Sequence, residues 1–105
     1  MELGDGYWVK FRAKQVPPSV QRPHGLEYAL TLHAPGARRL VGYDNAHVPN
    51  ELKERSVKGR QTQTFDHVHY EGRRTRFYDF TTPGRLVEDF WESVDAKLKE
   101  EGSHE

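Results

Sequence analysis

From Tyr7 the chain alternates, with Tyr7, Val9, Phe11 and Ala13 on one side and Trp8, Lys10, Arg12 and Lys14 on the other. A period of two is that of a half-buried strand. Pro17 and Pro18 end it, because neither can donate to a ladder. A second alternation sets Leu26, Tyr28, Leu30 and Leu32 against Glu27, Ala29, Thr31 and His33, and Pro35-Gly36 supplies a turn into a third strand, Arg39 to Tyr43. Phe65 to Tyr70 and Thr75 to Phe80 predict two more strands, joined through Glu71-Gly72-Arg73-Arg74. The stretch 44–63 is polar and charged and predicts a long loop.

The period then changes. Leu86, Val87, Phe90, Trp91, Val94 and Leu98 recur at spacings of three and four, which predicts an amphipathic helix from Pro83 to Glu101. Thr82 is placed to cap its N-terminus, Pro83 suits the first helical position, and Gly102 stops it ahead of a frayed tail over 102–105. The expected architecture is therefore α+β, a single antiparallel sheet of about five strands with one C-terminal helix packed on the face carrying Val9, Phe11, Tyr28, Leu30 and Leu32. At 105 residues it is one domain, 1–105.

Composition narrows the chemistry. There is no cysteine, which removes disulfides, thiolate metal sites and cysteine nucleophiles together. No signal-like segment and no long apolar run occurs, so a cytoplasmic protein with no membrane association is expected. Net charge is zero but unevenly spread: residues 38–85 hold ten Lys/Arg against six Asp/Glu, and residues 86–105 hold two against seven. A nucleic-acid surface should accordingly lie away from the terminal helix.

The segment Asp66-His67-Val68-His69 is the first candidate for chemistry. On a strand, His67 and His69 share a face, about 6.5 to 7 Å apart. Histidine titrates near neutrality, so one copy can accept a proton while the other donates. RNA cleavage needs such a pair, a base for the 2′-hydroxyl and an acid for the leaving 5′-oxygen, and it needs no protein nucleophile. It also needs cations on phosphate, for which Arg73, Arg74 and Arg76 follow the histidines, and Lys58 and Arg60 lie in the basic loop. Asp44 or Asn45, leaving the third strand, could orient a histidine. A zinc or manganese shell completed by Asp44, His47 or Asp66 is the lesser alternative, because Asp66 points away from the histidine face; no cofactor and no metal is expected. Tyr43, Tyr70 and Tyr78 are candidates for stacking bases, though Tyr70 lies opposite the histidines. Trp8 among Lys10, Arg12 and Lys14 forms a second basic and aromatic surface.

Gly42-Tyr43-Asp44-Asn45, Asp66-His67-Val68-His69, Phe77-Tyr78-Asp79-Phe80-Thr81 and Leu86-Val87-Glu88-Asp89-Phe90, in that order, resemble the TumE-like toxin family of toxin-antitoxin pairs. The resemblance spans roughly residues 26 to 98. It implies a small cytoplasmic toxin that blocks translation, with a cognate helix-turn-helix antitoxin as partner. It also gives Asp44, Asn45, Asp66, His67 and His69 candidate active-site status. With the chemistry above, the expectation is a metal-independent, ribonuclease-like toxin acting on RNA. The alternative is a non-catalytic module binding RNA or protein through the basic loop and strand face. A homodimer is left open.

Overall fold

The computed structural model describes residues 1–46 and 65–102. His47, Lys58 and Arg60, almost all of the expected loop and the end of the tail lie outside the described residues. Among the described residues the elements are β1 (Glu2–Gly4), β2 (Tyr7–Gln15), β3 (Leu26–His33), β4 (Arg39–Asp44), β5 (His67–Tyr70), β6 (Arg76–Phe77) and α1 (Pro83–Glu101). The six strands form one antiparallel sheet in chain order. One helix packs on it, which is the α+β arrangement that the periodicity predicts.

The strand beyond the expected five is β1. It pairs with the start of β2 through Asp5 and Gly6, whose φ angles of 57° and 82° are both positive, as a tight two-residue hairpin requires. The last strand is shorter than Thr75 to Phe80, because only Arg76 and Phe77 pair with β5. Tyr78 then donates its N–H to the Asp66 carbonyl, and the chain leaves the sheet towards the helix.

The helix runs from Pro83 to Glu101, with the Thr82 side chain accepting from the Arg85 N–H and Gly102 at φ 76° closing the other end. Both ends are thus satisfied locally. Leu86, Phe90, Val94 and Leu98 are buried on its stripe against Val9, Leu30, Leu32, Val41, Tyr43 and Val68 of the sheet. Full burial of each such aliphatic or aromatic side chain contributes about 1.5–3 kcal/mol. Phe11 shares this face and meets Phe90 and Trp91 edge-on, at 5.5 and 5.8 Å between centroids, but it stays 47% exposed near the rim.

The acidic helix is anchored by charge at its C-terminal end. Arg38 pairs with Glu71 at 2.9 Å and with Glu101 at 2.8 Å, and Lys97 reaches Glu100 at 3.2 Å and Glu71 at 3.8 Å. The two distal turns of the sheet are tied to α1 in this way. The sheet's other face therefore points away from the helix and its carboxylates, where the charge distribution put any nucleic-acid surface.

Candidate functional site

Residues directly opposite in an antiparallel pair project to the same side. Val68, Tyr43 and Leu30 are paired in a row and face the helix. The neighbouring rows must face the other way. One contains Arg12, Ala29, Asp44, His67 and Phe77; the next contains Lys10, Thr31, Gly42 and His69. The Gly42–Asn45 and Asp66–His69 elements thus converge at the β4–β5 pair, and the pleat then divides them between two environments.

Asn45 and Asp66 turn into the protein, each 0% exposed. The Asp66 carboxylate accepts from the Tyr28 hydroxyl at 2.7 Å and sits 3.0 Å from His24 Nε2, and the Asn45 amide donates to it at 3.5 Å. Asn45 also closes the β3 end, accepting from the Tyr28 N–H at 2.9 Å and donating to the Leu26 carbonyl at 2.7 Å. His24 stacks on Phe80 at 3.9 Å. Burial pushes the Tyr28 hydroxyl far above the ordinary tyrosine range, and the negative charge of Asp66 and the hydrogen bond to it push it further. This network is satisfied within itself and binds the β3, β4 and β5 ends to the 16–25 connection. Arg22 strengthens that link by donating to the Asn45 carbonyl at 2.8 Å and lying over the Phe65 ring.

Asp44, His67 and His69 turn to the face away from the helix, which is open in that no described helix or strand packs on it. His67 is nearly buried, at 6% exposure, and its Nδ1 lies 2.8 Å from the Phe65 carbonyl. A carbonyl can only accept, so Nδ1 carries a proton, and Nε2 is the ring nitrogen left to take or give one. Asp44, opposite His67, accepts the Ala46 N–H at 2.6 Å and so fixes the chain as it leaves β4. His67 is oriented by the Phe65 backbone, not by the Asn45 side chain. His69 is half-buried and flanks Gly42. Among the described residues no group of three His, Asp or Glu side chains is gathered as a metal ligand set.

The arginines that follow the histidines go elsewhere. Arg73 lies over the Tyr70 ring at 4.9 Å and pairs with Glu100 at 3.6 Å, on the helix side. Arg76 is opposite Val68 and shares its helix-side direction. Arg74 is exposed in the β5–β6 turn, at the end of β5 away from His67. Tyr43 and Tyr70 also face the helix, bonding the Ser93 hydroxyl at 2.7 Å and the Ser93 carbonyl at 3.5 Å, and Tyr78 donates to Asp89 at 2.6 Å. Burial raises the pKa of all three hydroxyls.

The histidine face carries a different cation, Arg39. A register shift between Leu32 and His33 puts an extra residue, Leu40, into β4, and the alternation breaks there. The Arg39 side chain consequently folds over Gly42, with a guanidinium nitrogen 3.4 Å from where a Cβ would stand. Alternation from Val41 and Tyr43 would assign Arg39 to the helix face. His24 had no signal in the sequence, since it lies in an irregular Pro-rich connection and meets Asp66 only through the fold. Lys10, Arg12 and Trp8, which the alternation does assign to the polar side of β2, prove to share one face with the histidines.

Among the described residues, a six-strand meander, one capping helix and two polar elements that meet at the β4–β5 pair define a small α+β protein. The family described as Toxin TumE matches residues 1–98, and the chain belongs to that family. It is accordingly a toxin of a toxin-antitoxin system, with an antitoxin as its partner. No curated protein and no solved structure gives a significant match. Among the described residues no helix is long and apolar enough to cross a membrane.

Proposed function

We propose that this toxin cleaves RNA with His67 and His69 as its proton-transfer pair. The observation that carries the proposal is their common placement on the sheet face away from the helix, His67 opposite Asp44 and His69 opposite Gly42, over which the Arg39 guanidinium lies. His67 Nε2 takes the proton of the substrate 2′-hydroxyl, whose oxygen attacks the adjacent phosphorus. The bond to the 5′-oxygen breaks, and that oxygen takes its proton from His69, giving a 2′,3′-cyclic phosphate and a free 5′-hydroxyl. A guanidinium beside the phosphate offsets the charge that builds on its oxygens. Asn45 and Asp66 act at a distance, by holding the strand ends that carry Asp44 and His67.

Purified protein incubated with RNA, with and without ribosomes and in the presence of chelator, tests this. Cleavage leaving cyclic phosphate ends is the expected result. No cleavage under any of these conditions overturns it in favour of a non-catalytic RNA- or protein-binding toxin. One observation favours that second reading: His67 is 6% exposed, as a structural histidine would be.

A further inference from the structure

The open face extends well beyond the histidines. Between Lys10 and Arg12 on β2 and the histidines on β5, the two rows facing away from the helix hold Thr31 and Gly42, and Ala29 and Asp44. These mostly small middle positions make a shallow trough. A groove of about 520 Å³ runs beside Arg12, Lys14, Glu27, Ala29 and Asp44. The Arg39 guanidinium lies in the trough over Gly42, and since opposed Cβ atoms are about 4.5–5.5 Å apart, it sits within about 9 Å of the His69 Cβ. Lys10, Arg12 and Arg39 have no ion pair among the described residues, whereas Lys14 pairs with Glu27 at 3.9 Å.

One row further on, Trp8 stacks on His33 with 4.1 Å between centroids and 12° between planes. The Thr31 hydroxyl, 2.9 Å from His33 Nε2, holds that ring in place, and the ring's Nδ1 is buried with no hydrogen-bond partner among the described residues. The indole is thus backed by a second ring and fixed as a flat surface. Three strand spacings and two residues of rise separate the Trp8 and His69 Cα atoms by about 16 Å, the span of a few nucleotides.

We infer that this face is a track for single-stranded RNA, a conclusion that rests on the RNA-cleaving function proposed above. Arg39 holds the phosphate at the histidines, Lys10 and Arg12 hold its neighbours, and an unpaired base stacks on Trp8. Unpaired cations favour a polyanion, and a supported aromatic plane at one end of their row favours one whose bases are exposed. A duplex presents the same phosphates but keeps its bases stacked inside.

The test uses a short 2′-O-methyl RNA strand, which lacks the attacking hydroxyl and reports binding without cleavage. The chain has two tryptophans, so Trp91→Phe leaves Trp8 as its one indole. The strand should quench Trp8 fluorescence, and the same strand in a duplex should not. Trp8→Leu and Arg39→Gln should each weaken binding roughly tenfold, and Arg39→Gln should lower the salt slope by about one ion. Arg39 is exposed, so its variant remains informative if Trp8→Leu impairs folding. Absence of binding, equal quenching by duplex, or unchanged affinity in Arg39→Gln would overturn the track. Binding without any cleavage of unmodified RNA would instead leave the track standing and defeat the enzyme. Cleavage whose KM is unmoved by Arg39→Gln would do the reverse.

Discussion

Asp44 and Asn45 are consecutive, as are Asp66 and His67, yet the sheet separates the members of each pair. Asn45 and Asp66 fill a closed network with Tyr28 and His24 on one side, while Asp44 and His67 belong to a face lined with cations on the other. A cluster of polar residues in sequence is therefore two half-clusters in space. The inner half satisfies its own hydrogen bonds and holds strand ends together. The outer half keeps histidines in a row with guanidinium and ammonium groups. Residue types alone do not distinguish the two roles, whereas strand parity does.

The largest effect should come from the outer half. His69→Ala is expected to reduce RNA cleavage by about 10²–10⁴, the range of one lost proton-transfer group. Its thermal midpoint should fall less than that of Asp66→Ala, since His69 shares the face of Asp44 and His67 and not that of the buried network. A large loss of stability together with activity would place His69 in the structural half and break the comparison.

Next in size is the inner half. Asp66→Ala leaves His24 and the Tyr28 hydroxyl without their acceptor in a buried site, at a cost of about 3–5 kcal/mol. Asp44→Ala removes one turn bond to the Ala46 N–H, at about 1 kcal/mol. Urea unfolding of the two variants measures the contrast directly, and equal losses would mean that the division between faces is not energetic.

Much of this fold is legible in the chain. The helix is fixed by signals that act locally: Thr82 as cap, Pro83 inside the first turn, a stripe of six apolar side chains and Gly102. The core face of β2 and β3 follows from strict alternation, as does the separation of Asp66 from His67. The Asp5-Gly6 dipeptide carried a hairpin signal for β1, but only Leu3 is apolar in that strand, too little to register as a period. Arg39 could not be placed by counting, because the extra residue in β4 resets the parity. Nor could the fates of Arg73 and Arg76, which depend on where α1 brings Glu100 and on the register of β6. Local rules assign faces until a bulge or a distant charge intervenes.

A smaller effect should appear in alkali. Tyr28 keeps its proton in the folded protein well above the ordinary tyrosine pKa, because it is buried and bonded to Asp66. The unfolded chain releases that proton near pH 10, so stability is fully present below that value and is lost as the pH rises above it. Tyr28→Phe removes this contribution and should flatten the decline in urea midpoints above pH 10. At neutral pH the same change withdraws one donor from a carboxylate, at about 1.5–3 kcal/mol. A decline of unchanged steepness in the variant would assign the alkaline response to Tyr43, Tyr70 and Tyr78 instead.

The smallest effect separates the two sets of arginines. Arg73 has an exposed side chain and lies 3.6 Å from Glu100, which is itself half exposed. Such a pair contributes about 0–1 kcal/mol, because water and salt screen the attraction and two long side chains must be held still. It also stands on the helix side, among the carboxylates that repel phosphate. Arg73→Gln should therefore leave stability within about 1 kcal/mol of the parent and leave the salt slope of RNA binding unchanged, where Arg39→Gln lowers it. The two slopes, measured by titrating one labelled RNA strand at several salt concentrations, form a matched pair, since the residue type and the substitution are identical and only the face differs. If Arg73→Gln lowers the slope as much as Arg39→Gln, phosphate reaches around the sheet edge to the β5–β6 turn, and the functional surface is not confined to the open face.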